Sequence, residues 1–422
     1  MGSDVDDMTP LLNAAERWER LRRVLRDTTA SNPFYGRKFA SVGCSAEPSS
    51  PVDFATRFPV TTKAELVADQ AAHPPYGTNL SEPLSRYTRC HQTSGTTGAP
   101  MRWLDTPESW SAMVDDWVRV FRAAGVHPGD RVFFAFSFGP FLGFWLAFEA
   151  AQRMGCLCIA GGGMSSSVRA RVLLENRCTV LCCTPTYALH LGHVLRAEHA
   201  ELESLPVRTI LVAGEPGGSL PSTRQHVETV WLGARVFDHH GMTEVGPVTH
   251  EVPGQSGSLL VMEDSFYAEI LDPTTGNPVP EGQSGELVLT TLRRTASPLI
   301  RYRTGDRVIG RRDPALGNAL ILDGGILGRV DDMIILRGVN VYPTAIEELV
   351  RSVPAIGEYR VTHDTRKAMP ELSIEIESED PTAADTLERK LQGALAVRVP
   401  VTWVPDGSLP RSELKANRWV RA

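Results

Sequence analysis

GCLCIAGGGMSSSVRARVLLENRCTVLCCTP, residues 155–185, sets two short apolar runs on either side of a helical stretch. "GCLCIAGG" and "TVLCCTP" are apolar almost throughout and each ends in glycine or proline, the signature of buried strands. "SSSVRARVLLEN" between them reads as a helix. The same pattern extends outward on both sides: "DRVFFAFS" (130–137) and "RTILVAGEP" (208–216) are further buried strands. Upstream, Thr106 is a cap residue followed by Pro107 at the first helical position, and Trp110, Met113, Val114, Trp117, Val118 and Phe121 recur with helical spacing up to Gly125. Alternating strands and helices imply an α/β fold with a largely parallel sheet.

Beyond this block the pattern changes. From Gly257 to Arg303 strands alternate with close turns, as in "AEILDPTTGNPVPEGQSGELVLTTL" (268–292), which reads as a separate small β-region. From about Leu327 the chain carries a hairpin-like "RVDDMIILRGVNVYP", a helix over Thr344–Ser352, and strands around "YRVTHD" and "LSIEIES". The expected division is a large N-terminal α/β domain with its β-region, residues 1–326, and a small α+β C-terminal domain, residues 327–422.

The chain has 422 residues, 42% hydrophobic and 22% charged, enough for a large core in two or more domains. Its 43 basic and 50 acidic residues give a net charge of −7, which argues against a nucleic-acid or anionic-membrane partner. The seven cysteines form no regular framework, as expected of reduced thiols. The most apolar run, Val132–Phe148, is broken by Gly139, Pro140 and Gly143 and is shorter than the roughly 20 residues of a bilayer span. The N-terminus is acidic and lacks the blocks of a signal peptide, so a cytoplasmic location is expected.

"TSGTTGAP" (93–100) lies between strand-like "YTRCHQ" and "MRWLD", at a hairpin tip. A Walker loop needs a lysine after its second glycine and a helix behind it; here Ala99 follows Gly98. What remains is a set of small residues whose amides and hydroxyls, from Thr93, Ser94, Gly95, Thr96, Thr97 and Gly98, can wrap an anion. A plain surface turn is the alternative. "DHHGMTEVGP" (238–247) places Glu244 after a strand, suited to hold a metal beside phosphates, although such a glutamate is often only a solvated loop charge. "IRYRTGDRV" puts Asp306 at a glycine turn, where a carboxylate accepts from two ribose hydroxyls. Arg329, Asp331 and Asp332 precede a buried strand, and "LPRSELKANR" carries Lys415; both segments also read as surface charge runs.

Taken in order, these segments resemble the adenylate-forming superfamily of acyl-CoA synthetases, adenylation domains and luciferases. "VMEDSFYAEILDPTTG", "SGELVLTTL", "PLIRYRTGD" and "GRVDDMIILRGVNVYPTAIEELV" narrow the resemblance to the phenylacetate-CoA ligase branch, over residue 15 to the end. The resemblance implies that residues 93–100 cradle the ATP phosphates and that Thr243 and Glu244 form the catalytic turn, with Glu244 on magnesium. It assigns Asp306 to the ribose, Arg329 to the nucleotide, and Asp238 and His239 to the nucleotide site. Lys415 becomes the catalytic lysine of adenylation and Asp331 the hinge on which the C-terminal domain swings. "AGEPGG" (213–218) becomes the turn contacting adenine, through Gly214, Glu215 and Pro216, with Ala213 on one wall of the acyl pocket.

Departures from the family pattern bear on specificity. Ala99 replaces the usual loop lysine, leaving Arg102 across the hairpin as a substitute. His240 stands where an aromatic residue is usual, beside Gly241 in the expected substrate pocket. The segment 245–264 lacks the cysteines with which some relatives bind zinc, so no zinc is expected. "FAFSFGPFLGFW" lies where the branch places an aromatic-acid pocket, with Phe136 and Phe141 the candidates to pack the ring; an apolar run of this kind is also plain core. The implied activity is ATP-dependent activation of an aryl acid to an acyl-adenylate and transfer to coenzyme A. An alternative acceptor is an amine, a carrier-protein thiol or an arylamine–nitrite pair. Partners are small molecules, with a homodimer compatible.

Overall fold

The computed structural model describes residues 13–44, 47–93, 100–198, 205–332, 334–336, 339–364, 371–395, 397–410 and 418–421. In chain order, hairpin strands β1 (Arg89–Gln92) and β2 (Arg102–Asp105) lead to helix α1 (Pro107–Ala123), β3 (Arg131–Phe134), α2 (Leu142–Arg153) and β4 (Leu157–Ala160). Then come α3 (Ser166–Glu175), β5 (Val180–Cys183), α4 (Pro185–Glu198), β6 (Thr209–Val212), α5 (Pro221–Val230) and β7 (Arg235–Asp238). A two-residue pair, β8 (Gly241–Met242) and β9 (Gly246–Pro247), precedes β10 (Thr249–Val252), β11 (Gln255–Val261), β12 (Phe266–Leu271), β13 (Ser284–Thr291), β14 (Tyr302–Asp313) and β15 (Ala319–Asp323). The C-terminal segment adds β16 (Ile334–Leu336), β17 (Val339–Val341), α6 (Pro343–Arg351), β18 (Ile356–Asp364), β19 (Glu371–Ser378), α7 (Ala383–Leu395), β20 (Val401–Val404) and β21 (Trp419–Arg421). This is the mixed α/β class read from the sequence.

The chain forms two compact units. The first comprises Met1–Val132, Phe138–Ile159 and His239–Gly325; the second comprises Phe133–Ser137, Ala160–Asp238 and Ile326–Ala422. In the second, β5, β6 and β7 are parallel neighbours with every residue of β5 and β6 buried, so the uniformly apolar runs do become a parallel sheet core. The full order is β4-β3-β5-β6-β7, which makes β4 an edge strand. That corrects the expectation that "GCLCIAGG" is buried: Leu157 is 56% exposed and no residue of β4 is fully buried. Its apolar run signals strand propensity, not depth. The C-terminal segment builds a separate sheet, β20-β19-β18-β21, over a core that includes Val361, Ile374, Leu387 and Leu391. Helix α6 begins one residue before the expected helix, because Pro343 takes its first position.

The first unit holds α1, capped by the Thr106 side chain accepting from the Ser109 amide at 3.3 Å, with Trp110, Met113, Val114, Trp117 and Phe121 buried as the periodicity predicts and Val118, at the margin of that face, only half-buried. Its main sheet runs β10-β11-β15-β14-β13-β12. It therefore extends from Thr249 to Asp323, wider than the Gly257–Arg303 region expected: β10 joins β11 through Pro253 and Gly254, and β15 pairs with β14 and with the distant β11. An aromatic cluster of Tyr35, Phe39, Phe58 and Phe54, with neighbouring ring centroids 5.1–5.4 Å apart, packs at the N-terminal end. Thr61 pins it down by bridging in parallel to Tyr302, its hydroxyl donating to the Ile300 carbonyl at 2.8 Å.

Candidate active site

Arg294 is the structural centre of the site in the first unit, and sequence reasoning missed it. Its guanidinium is 2% exposed and donates from Nε and Nη2 to the two carboxylate oxygens of Asp105, both at 2.7 Å. Asp105 ends β2, the return strand of the hairpin that carries residues 93–100. Nη1 of Arg294 donates at 2.8 Å to the main-chain carbonyls of both Thr243 and Glu244. One cation thus ties the base of the glycine-rich hairpin to the glutamate turn. A bidentate pair this deep is retained only if each donor finds an acceptor.

The glutamate turn itself is the tip between β8 and β9. Gly246 has φ +93°, and a Cβ there would meet Met113 Sδ of α1 at 2.7 Å, so only glycine closes this turn against the helix. Glu244 is 6% exposed, which sets aside the solvated-loop reading, and its Oε1 lies 3.3 Å from Lys63 Nζ. Lys63 opens a helix capped by Thr62 and was not singled out from the sequence. A magnesium ion needs one or two carboxylates and takes its other oxygens from phosphates and water. The lone, nearly buried Glu244 carboxylate fits that demand; among the described residues no group of three or more His, Cys, Asp or Glu side chains forms a metal cage.

Asp306 is 5% exposed and lies within β14, not at the turn expected of "TGD". The pairing of β13 with β14 shifts register between Glu286 and Val288, and Gly305, at φ +76°, sits in that irregularity. The glycine marks a bulge that leaves Asp306 on the buried face, its amide donating to Thr304 Oγ1 at 3.0 Å. His240 Nε2 lies 3.0 Å from Asp306 Oδ2, so the residue that replaces the usual aromatic engages the expected ribose carboxylate. The His240 amide donates to Thr249 Oγ1 at 2.9 Å, fixing the main chain there. His239, its neighbour, is 6% exposed and packs edge-on against Trp117, with centroids 4.3 Å apart.

Other candidates lie in the second unit. Ala213 and Gly214 leave the end of β6, the Ala213 amide donating to the Cys183 carbonyl at 3.3 Å, and Gly214 has φ +91°. Burial raises the Glu215 carboxyl above the usual carboxylate range, against hydrogen bonds from the Thr186 amide (2.9 Å) and hydroxyl. Pro216 follows in the same turn. Asp238 ends β7 and accepts from Ser219 Oγ at 2.5 Å, while a Cβ on Gly218 would collide with its carboxylate. Arg329 and Asp331 pair with each other at 3.1 Å and are exposed. Phe136 is buried against Phe134 in the second unit, whereas Phe141 caps α2 in the first, 6.0 Å from Phe144. Arg102, the expected substitute for the loop lysine, donates to the Pro75 carbonyl at 3.0 Å. Ser94, Gly95, Thr96, Thr97, Gly98 and Lys415 lie outside the described residues; Thr93, at the edge of the loop, accepts from the Met101 amide through Oγ1 at 3.1 Å.

Residues 52–292 match the family described as "AMP-binding enzyme" and residues 338–421 its C-terminal domain. The chain is 31% identical over 411 residues to a phenylacetate-coenzyme A ligase of Pseudomonas putida, covering 94% of this chain and 91% of that one. It is likewise 31% identical to the phenylacetate-coenzyme A ligase of Escherichia coli K12, over 95% and 92% of the two chains. Among solved structures, 2-hydroxyisobutyryl-CoA ligase in its postadenylation state superposes with a TM-score of 0.92 at 29% identity, covering all of this chain and 94% of the other. The chain is an AMP-binding enzyme of the adenylate-forming superfamily, in the branch of the phenylacetate-CoA ligases.

Proposed function

We propose that this chain is an AMP-forming acid–CoA ligase with an aryl acid as its preferred substrate. In the first half-reaction a carboxylate oxygen attacks the α-phosphorus of ATP and pyrophosphate leaves. In the second, the coenzyme A sulfur, having lost its proton, attacks the acyl carbon and AMP leaves. Neither step needs a nucleophile from the protein, so the chain's task is to hold, orient and neutralise charge. The observation that carries this reading is the Arg294 clamp, which holds the glycine-rich hairpin and the Glu244 turn in one rigid frame.

By the family resemblance, residues 93–98 would receive the phosphates, Asp306 the ribose hydroxyls, and the turn of Gly214, Glu215 and Pro216 the adenine. Glu244 would hold magnesium, which when bound draws charge from the phosphate oxygens. Lys415, permanently cationic, offsets the charge developing at the α-phosphate, and Arg329 reaches the nucleotide. The exposed Arg329–Asp331 pair suits a hinge between a body of residues 1–326 and a mobile domain of residues 327–422. By the same resemblance, Phe136, Phe141, Ala213, His240 and Gly241 would each be assigned to the acid.

The test is product analysis by mass spectrometry with ATP, a panel of benzoates and phenylacetates, and coenzyme A present or omitted. Acyl-adenylate and pyrophosphate without coenzyme A, and aryl-CoA with AMP in its presence, are expected. ADP as product, or an adenylate that never reaches coenzyme A, overturns the reading.

A further inference from the structure

His239 is a buried side chain whose hydrogen-bonding capacity no side chain among the described residues meets. Both ring nitrogens are shut off from solvent, and among the described residues neither has a side-chain hydrogen-bond partner; the main chain of the adjacent His240 is the one acceptor that faces the ring there. Such groups are rare in native structures because each unmade hydrogen bond leaves desolvation uncompensated. Packing does not call for a histidine here. The ring meets Trp117 edge-on at 4.3 Å, a contact that phenylalanine would make without burying two polar atoms.

Its position gives the nitrogens a use. His239 and His240 are consecutive residues leaving β7, and in extended chain successive side chains point to opposite sides. His240 turns to Asp306, on the nucleotide side. His239 turns away from it, onto Trp117 of α1. In an acyl-adenylate the acyl group is joined through phosphate to the 5′ carbon of that same ribose, so the acid lies within a few bonds of this strand end.

The ring is also uncharged. Burial, and the neighbouring His240 and His250, push its pKa down to about 3. A neutral imidazole presents one N–H donor and one bare acceptor nitrogen. It therefore suits a neutral group with both functions, a hydroxyl or an amine, and offers no cation to a second carboxylate.

Resting on the acid–CoA ligase reading, we propose that His239 is the specificity-determining residue of the acid site and hydrogen-bonds a hydroxyl or amino substituent of the acyl group. The preferred substrate is then a hydroxy- or amino-substituted aryl acid. A site built around such a bond discriminates against the analogue lacking it, because the protein group is then left unpaired.

The test compares matched pairs of acids, the ortho, meta and para hydroxy- and aminobenzoates and hydroxyphenylacetates against benzoate and phenylacetate. Wild type, His239→Phe and His239→Leu are assayed by pyrophosphate release and by calorimetric binding of the acids alone. Wild type should prefer one substituted acid at least about tenfold in kcat/KM, and both variants should lose that preference through the acid's KM. No preference in wild type overturns the proposal, as does a preference that survives both substitutions. A rise in the KM for ATP with the acid preference intact assigns His239 to the nucleotide instead and also overturns it. Thermal melting separates misfolding of one variant from the effect sought, and the second variant then decides. If substituted acids bind selectively but no thioester forms, the ligase reading fails while the binding ratio still decides the role of His239.

Discussion

Arg294–Asp105 and Arg329–Asp331 are both arginine–aspartate pairs, and they do opposite things. The first is 2% and 0% exposed, bidentate, and braced by two main-chain carbonyls; the second is 42% and 71% exposed and meets at 3.1 Å. Water screens the second pair, so its members separate at almost no cost. The first, out of water, cannot lose a partner without stranding a charge. Identical chemistry yields a fixed frame where it is buried and a releasable contact where it is solvated. That is the division which the hinge proposed at Asp331 would require.

Removing the buried cation should have the largest effect. Arg294→Met leaves Asp105 charged and unpaired in the core and should cost about 3–5 kcal/mol, read by urea or thermal unfolding. A loss below about 1 kcal/mol would show that the clamp is not the frame it is taken to be. The double variant Arg294→Met with Asp105→Leu should recover part of that loss, since no charge is then left alone.

His239 sharpens the contrast from the neutral side. Its folded pKa of about 3 lies below the usual histidine value, so between about pH 6.5 and 3 the unfolded chain binds a proton that the folded chain does not. Its share of stability is present above about pH 6.5 and lost as pH falls. Between pH 6.5 and 5 the loss amounts to about 2 kcal/mol. His239→Phe should flatten the acid limb of the stability profile by that amount; an unchanged limb would mean that the ring is accessible to protons. The smallest effect belongs to the exposed pair. Asp331→Asn should shift stability by less than about 0.5 kcal/mol in the same unfolding assay. A shift beyond 1 kcal/mol would erase the distinction between the two pairs.

The sequence made legible what local pattern encodes. The strands of the parallel sheet, the face of α1 and the carboxylates Glu244 and Asp306 all stand out through spacing and neighbours. Other features depend on residues far apart in the chain. Arg294 has no motif of its own, since its carboxylate partner lies 189 positions away and its other acceptors are main-chain carbonyls. Lys63 meets Glu244 only in the folded chain. "TGD" reads as a turn because Gly305 has turn chemistry, and only strand register reveals a bulge. The edge position of β4 follows from strand order, which its composition does not carry. The two histidines stand out as a pair, but that one meets Asp306 and the other Trp117 shows only in the folded chain.

The Thr61 bridge has a consequence in time. Tyr35, Phe39, Phe54 and Phe58 emerge early in synthesis, yet the strand that secures them begins at Tyr302, and the Ile300 carbonyl held by Thr61 comes 239 residues later. At about 5–20 residues per second the ribosome takes roughly 10 to 50 s to cover that distance. For that interval the aromatic cluster has no strand to dock on, and the nascent chain must carry it exposed or shielded by a chaperone until the second half arrives.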